Sequence, residues 1–225
     1  SVKSAKKRKV NQTIDVLVGK NKELQDTYNE LTVSFNDSCD LVVRAYDEGV
    51  AYHFATRLNG EITIISEDAI FNFTSTPTIY YPECDANYSG ETDQSGRTHQ
   101  VHQGYRNFER LYKVYKGPLE IPYERFAVSP VLYEYPDSPY KVVVTESNIY
   151  DYPALYMESN GYNSMRGKWA NYPKETIDSD PSNPYYWYSN HLVVTRENYI
   201  AKTDGNRSFP WRVIIVSEDD KSLLN

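Results

Sequence analysis

A single acidic residue ends a hydrophobic run near the middle of the chain. Glu146 follows three valines and Thr145, a position typical of the exit of a buried strand. Cleavage of a glycosidic bond needs two carboxylates about 5 to 9.5 Å apart, and a calcium ion takes about six to eight oxygen ligands. One glutamate provides neither set. Glu146 therefore either has partners elsewhere or closes a loop by accepting backbone N–H bonds.

A second candidate surface is aromatic. The segment NPYYWYSN (183–190) contains Tyr185, Tyr186, Trp187 and Tyr188 in succession. Tyrosine and tryptophan rings stack on the apolar C–H patches of sugars, so this cluster predicts a carbohydrate-binding surface. The alternative is that these residues alternate between the core and the rim of a sandwich, or cover a domain interface. The sequence leaves both interpretations open.

The histidines and cysteines offer less chemistry. His99 and His102 lie in a polar loop without a third metal ligand, and His53 alternates with alanines, which predicts the less buried face of a strand. Cys39 and Cys84 show no CxxC spacing, so we expect two independent thiols and no zinc site; one disulfide is the alternative. The sequence contains neither a GxSxG motif nor a glycine-rich phosphate loop.

Composition and charge bound the class of protein. The 225 residues fit one large domain or two small ones, and 22 tyrosines supply packing area in an otherwise polar sequence. A net charge of -7 argues against a nucleic-acid backbone as partner. The basic run from Lys3 to Lys9 is the exception, and we expect it to be a solvated strand or arm. No apolar run approaches the ~18 residues of a membrane-spanning helix.

Short strands separated by turn signals must position these residues. The runs ELTVSF (30–35), LVVRAY (41–46) and VAYHFAT (50–56) are rich in β-branched and aromatic residues and predict an antiparallel meander. Asn59-Gly60 and Asp204-Gly205 are signals for tight turns. Helical periodicity is nearly absent, so the sequence predicts an all-β fold of the sandwich or barrel type.

Longer segments follow one another in a specific order. They are YNELTVSF (28–35), RAYDEGVAYHF (44–54), ISEDAIFNF (65–73), VVVTESNIYDYPALYM (142–157) and PWRVIIVSED (210–219). Together they resemble the N-terminal domain of glycoside hydrolase family 97. The resemblance implies an antiparallel β-super-sandwich, similar to the galactose-mutarotase fold, that precedes a (β/α)8 catalytic barrel. It also implies that the parent is an exo-acting α-glucosidase or α-galactosidase, requires calcium, and is periplasmic or secreted.

The same resemblance gives Glu146 a role. It implies that Glu146 is one ligand of a calcium ion whose other ligands are glutamates of the barrel. Thr145, Asn148, Asp151 and Tyr152 would shape the turn that presents this carboxylate. The catalytic carboxylates would belong to the barrel, so we expect the chain alone to be inactive. Its partners would be the barrel of the same polypeptide and a carbohydrate substrate.

The resemblance also bears on the two ends of the chain. The match begins well inside the family's domain and stops where a linker to the barrel would start. We therefore interpret residues 1–225 as a single sandwich domain that is a fragment of a larger one and incomplete on its N-terminal side. Missing strands would leave open sheet edges, which pair readily with other chains. We accordingly expect dimerisation or edge pairing, for example an edge-paired homodimer of the fragment, unless another polypeptide completes the sandwich.

Overall fold

The computed structural model divides the chain into two compact units. The residues that the structure describes are 1–84, 89–92, 98–100, 111–123, 125–178, 182 and 191–224. The first unit comprises residues 1–62, 139–150 and 204–225, and the second comprises residues 63–138 and 151–203.

The described residues form nineteen strands and two short 3₁₀ turns. The strands are β1 (Val2–Asp15), β2 (Glu23–Phe35), β3 (Cys39–Tyr46), β4 (Gly49–Ile64), β5 (Ile70–Asn72), β6 (Thr78–Tyr81), β7 (Glu83–Cys84), β8 (Ser89–Thr92), β9 (Thr98–Gln100), β10 (Lys113–Tyr115), β11 (Phe126–Val128), β12 (Val131–Glu134), β13 (Lys141–Ser147), β14 (Tyr156–Ser159), β15 (Ser164–Lys168), β16 (Pro173–Asp178), β17 (His191–Arg196), β18 (Ala201–Ser208) and β19 (Trp211–Ser217). The 3₁₀ turns are Pro118–Glu120 and Ser222–Leu224.

An antiparallel sheet organises the first unit. Its strands follow the order β1-β2-β3-β4-β19-β13, and β18 pairs additionally with β4. Consecutive hairpins join β1 to β4, and those from β2 to β4 are the ones that the β-rich runs of the sequence predict. The two strands β19 and β13 come from later in the sequence and complete the sheet by pairing with β4 and with each other.

One face of this sheet is covered by an aromatic cluster around Arg44. The guanidinium carbon of Arg44 lies 4.3 Å from the ring centre of Tyr28 and 4.6 Å from that of Trp211. Tyr46 packs on Tyr28 with ring centres 5.1 Å apart, and His53 packs on Trp211 at 4.1 Å. Contacts of this kind contribute about 0.5–1.5 kcal/mol each beyond the burial of area. The cluster therefore ties β2, β3, β4 and β19 together.

The burial of His53 differs from the prediction. His53 is only 7% exposed, whereas Val50 and Phe54 on the opposite face of β4 are 41% and 40% exposed. The alternation in the sequence separates the two faces correctly but does not reveal that Trp211 of β19 covers His53. The imidazole Nδ1 lies 2.9 Å from the carbonyl oxygen of Phe54. Burial lowers the pKa of His53.

The two predicted turns at Asn59-Gly60 and Asp204-Gly205 are wrong, because both dipeptides lie inside continuous strands. β4 runs through residue 60 and β18 runs through residue 205, and the two strands pair with each other. A Cβ on Gly205 would lie 2.8 Å from the carbonyl oxygen of Leu58 and 2.9 Å from that of Gly60. Glycine permits this close approach of two backbones, so strand pairing overrides the local turn preference.

The second unit contains two larger groups of strands and two strand pairs. One group has the order β5-β15-β14-β11-β7, the other the order β12-β6-β10, and β16 pairs with β17 and β8 with β9. The fully buried side chains of this unit include Ile79, Tyr81, Val131, Tyr133, Leu155, Met157 and Met165. Burial of each such side chain contributes about 1.5–3 kcal/mol. The Tyr81 hydroxyl donates to the carbonyl oxygen of Met157 at 2.7 Å, which links β6 to β14.

These observations confirm the all-β, antiparallel class. The pairings given for the sheets are antiparallel throughout, and the described helical residues form only three-residue turns. Cys39 and Cys84 are two separate thiols and do not form a disulfide, as expected. In the part of the chain that the structure describes, no helix is long and apolar enough to cross a membrane.

Gly49 provides a test of the β4–β19 contact. It opens β4 at a φ of 155°, and a Cβ there would collide with the carbonyl oxygen of Ile214. Gly49→Ala should lower the free energy of unfolding, measured in urea, by at least ~2 kcal/mol because the backbone of β19 must move. Gly60→Ala is the control: its φ of 74° is strained, but a Cβ meets nothing within 4 Å, so the loss should be about 1 kcal/mol. Equal losses would contradict this description of the contact.

Candidate functional site

The strand register places Glu146 opposite an arginine. In the pairing of β13 with β19, Val142 faces Val216, Val144 faces Ile214 and Glu146 faces Arg212. Directly opposed residues of an antiparallel pair project from the same face, so the glutamate and the arginine meet. The apolar residues, three valines in β13 and two valines and two isoleucines in β19, fix this register by burial.

Glu146 and Arg212 form a buried ion pair. Arg212 Nη1 donates to Glu146 Oε2 at 2.8 Å. The side chains of Arg212 and Glu146 are 1% and 3% exposed, respectively. Removal of two charges from water is unfavourable, and the loss of one partner leaves the other charge buried and uncompensated. The pair therefore fixes the position of the Glu146 carboxylate within the sheet face.

The residues after Glu146 turn the chain sharply. Asn148 and Asp151 have φ values of 62° and 48°, in the left-handed region that asparagine and aspartate tolerate better than most residues. The Tyr150 N–H donates to the Asn148 carbonyl oxygen at 3.1 Å, and Arg207 Nη2 donates to the Tyr150 carbonyl oxygen at 2.7 Å. In the second unit, the Tyr152 hydroxyl donates to Glu67 Oε2 at 3.0 Å. These bonds hold the segment that follows the carboxylate.

The residues at this position fit calcium only as part of a shared site. A carboxylate is a hard oxygen ligand that calcium prefers, and its two oxygens offer about four lone-pair sites. Within the described ranges, no group of three or more histidine, cysteine, aspartate or glutamate side chains could hold a metal ion. The cationic Arg212 beside Glu146 also requires additional negative charge before a second cation is favourable. The remaining ligands of such a site would have to come from outside these residues.

A second buried carboxylate lies on the opposite face of the same sheet. Glu30, which is 7% exposed, accepts from Arg8 Nε at 2.5 Å and from Arg44 Nε at 2.9 Å. The register aligns Arg8, Glu30 and Arg44 in one row across β1, β2 and β3. The hydrogen bond from Arg8 is the largest cause of a lowered pKa of Glu30. This row joins β1 to the sheet.

The sequence analysis did not predict that Glu30 pairs with Arg8 and Arg44, and it considered Arg8 only as a member of the basic run. The signal was a glutamate at the start of the apolar run ELTVSF and an arginine inside LVVRAY. An acid and a base interrupting neighbouring hydrophobic strands are each expensive to bury alone. Their joint presence therefore indicates a cross-strand ion pair.

The aromatic candidate surface lies outside the described residues. Tyr185, Tyr186, Trp187 and Tyr188 all fall in the range 183–190, for which the structure gives no description. The carbohydrate-binding interpretation of these residues stays a prediction.

Comparisons with known proteins agree with the fold and identify the family. The family model for the glycosyl-hydrolase 97 N-terminal domain matches residues 1–225, so the chain belongs to this family. A retaining α-galactosidase from Bacteroides thetaiotaomicron is 31% identical over 202 residues, which are 89% of this chain and 28% of that enzyme. The chain thus spans little more than a quarter of the length of this relative.

Solved structures share the fold at lower identity. A glycoside hydrolase family 97 enzyme from Pseudoalteromonas sp. strain K8, in complex with acarbose, matches all of this chain with a TM-score of 0.69 at 15% identity, over 28% of its own length. A β-arabinopyranosidase matches 97% of the chain and 32% of its own length, with a TM-score of 0.63 and 15% identity. The resemblance to family 97 and the sandwich fold that it implied are confirmed.

The ion pair predicts a specific stability pattern. Arg212→Met leaves the Glu146 carboxylate buried without its guanidinium and should lower the free energy of unfolding by ~3–5 kcal/mol. The double variant Arg212→Met/Glu146→Leu removes both charges and should recover most of this loss. Urea unfolding of both variants measures the difference. A double variant that is as unstable as the single one would show that the charge pairing is not the cause.

Glu30 predicts a pH dependence. A carboxyl group whose folded pKa is lowered contributes stability that is present above its unfolded pKa of about 4.3 and lost as the pH falls through the folded pKa. Thermal unfolding should therefore show a Tm that decreases below about pH 4.3. Glu30→Gln should be less stable near neutral pH and should show a shallower decrease in acid, whereas Glu61→Gln, on the exposed part of β4, should behave as the parent. Parallel curves for Glu30→Gln and the parent would exclude this contribution.

Proposed function

We propose that the chain is the accessory N-terminal sandwich domain of an exo-acting α-glycosidase, either an α-glucosidase or an α-galactosidase. The observation that carries this proposal is the match of the family model over residues 1–225. The retaining α-galactosidase that is 31% identical extends well beyond the matched region, since this chain covers 28% of it. The domain would pack on a (β/α)8 catalytic barrel of the same polypeptide, which would bind the carbohydrate substrate and supply the catalytic acid and base. The complete enzyme would be periplasmic or secreted.

The proposed contribution of this domain to catalysis is the Glu146 carboxylate. Its position is fixed, because Arg212 holds one oxygen at 2.8 Å and the side chain is 3% exposed. A carboxylate held in this way loses little conformational freedom when it binds a further partner, which favours binding. Glu146 would offer calcium one oxygen ligand and leave the others to glutamates of the barrel.

Arg212 has a positioning role in this proposal. Its guanidinium binds Glu146 Oε2 and thereby orients the carboxylate plane. The bound calcium ion would hold oxygen ligands of two modules together and place positive charge near the substrate. Arg212 itself, 1% exposed and cationic, would not bind the metal.

A matched pair of variants in the complete enzyme tests this proposal. Glu146→Gln retains the size of the side chain but removes the charge, so calcium affinity should fall at least about tenfold, and activity should recover in excess calcium. Glu30→Gln removes another buried carboxylate of the same sheet, which is paired with Arg8 and Arg44, so it controls for a general loss of stability and should leave calcium affinity unchanged. Calorimetric titration with calcium and hydrolysis assays give both readouts.

Two outcomes would contradict the assignment. Unchanged calcium affinity and activity in Glu146→Gln would exclude this residue as a ligand. Equal losses in Glu146→Gln and Glu30→Gln would show that both act through folding alone.

A further inference from the structure

The outer edge of β1 ends the sheet of the first unit. β1 is the terminal strand in the sheet order, and among the described residues it pairs only with β2. The Val16 N–H donates to the Lys22 carbonyl oxygen at 2.7 Å, which makes these two residues a hydrogen-bonded pair. Because such pairs alternate along an antiparallel ladder, even-numbered residues of β1 bond to β2 and odd-numbered residues direct their backbone groups outwards. Within the described ranges, the outer edge of β1 therefore carries a row of backbone groups with which a further strand could pair.

The distal halves of β1 and β2 form a two-stranded arm. β2 pairs with β3 only over residues 29–34, so residues 10–15 and 23–28 extend beyond β3. Ile14 and Leu24 face each other on this arm and are 43% and 50% exposed. A lone two-stranded ribbon is marginally stable in water, and adjacent exposed apolar side chains are typical of interaction sites. The arm has the properties of a surface that is covered by another strand.

The arm also carries an unfavourable charge pair. Asp15 and Glu23 are directly opposite each other in the β1–β2 register. Like charges in this arrangement are destabilising. A cation supplied from the open side of β1 would relieve their repulsion.

The basic residues of β1 restrict how a second copy can pair with it. Lys3, Lys6, Lys7, Arg8 and Lys9 occupy the proximal half of the strand. An antiparallel pairing centred on this half would place cations opposite cations, and charged edges of this kind prevent pairing. Residues 10–15 contain no cation. Pairing between two copies is therefore directed to the distal half.

One register matches the charged and apolar side chains of the distal half. If Gln12 faces Gln12 of a second copy, Lys9 faces Asp15, Val10 faces Ile14 and Asn11 faces Thr13, each contact occurring twice by symmetry. Lys9 would then lie beside both Asp15 and Glu23 of the second copy. The outward-bonding odd residues would form the hydrogen-bonded pairs, and Val10 and Ile14 would meet in the closer, non-hydrogen-bonded pairs.

The same register creates a continuous apolar row. Leu24 and Ile14 of one copy would be followed by Val10 and Tyr28 of the other, because Val10 faces Tyr28 within the chain. All four residues project from one face of the resulting four-stranded ribbon. We propose that the distal half of β1 is a dimerisation edge that pairs with a second copy of this chain in the Gln12–Gln12 register. The self-complementary charges and apolar residues favour a second copy over an unrelated strand.

Disulfide trapping tests this register. Gln12→Cys places two thiols across the dimer axis in a non-hydrogen-bonded pair with Cα atoms about 4.5 Å apart, within the range for a disulfide. Under mild oxidation this variant, in a Cys39→Ser background, should form a covalent dimer. Lys6→Cys is the matched control, since it lies on the same strand and the same face and should remain monomeric on a non-reducing gel. A failure of Gln12→Cys to cross-link, or equal cross-linking of both variants, would overturn the proposal.

A charge exchange tests the same proposal without cysteines. Lys9→Glu would oppose Asp15 of the second copy and should weaken dimerisation at least about tenfold in sedimentation equilibrium. Lys9→Glu/Asp15→Lys restores opposite charges and should return the dissociation constant close to that of the parent. A parent protein that stays monomeric, or a double variant no better than the single one, would show that this edge is not the interface.

Discussion

The register of β13 against β19 is the constraint on which the candidate site depends. It sets Glu146 opposite Arg212 and buries both charges in the sheet of the first unit. A slip of one residue would send the glutamate to the other face and leave Arg212 buried without its carboxylate. The apolar residues that flank the pair therefore do more than build a core, because they decide where the Glu146 carboxylate lies.

Each face of this sheet carries a buried carboxylate that is paired with arginine. On one face, Glu30 joins Arg8 to Arg44, whose guanidinium is stacked between Tyr28 and Trp211. That row connects the outermost strand, β1, to the interior of the sheet. On the other face, Arg212 binds the Glu146 carboxylate, and both side chains are buried.

Much of the fold could be predicted from local sequence pattern, and the errors share one cause. Alternation and β-rich runs predicted the hairpins from β2 to β4, and five ordered segments predicted the family. The errors concern partners that are distant in sequence. Asn59-Gly60 continues as a strand because β18 pairs with it, and His53 is buried because Trp211 covers it. A local pattern carries no information about a partner strand that lies about 150 residues further along the chain.

The position of Glu146 at a strand end was predictable, but its arginine partner was not. Arg212 lies 66 residues away and becomes its neighbour only through the register of two strands. The most direct test is a crystal structure of the complete polypeptide grown with calcium, with the ion located by its anomalous scattering. We predict that a Glu146 oxygen lies about 2.3–2.6 Å from the ion while Arg212 still binds the other oxygen. A calcium ion whose oxygen ligands all come from outside residues 1–225 would contradict the account.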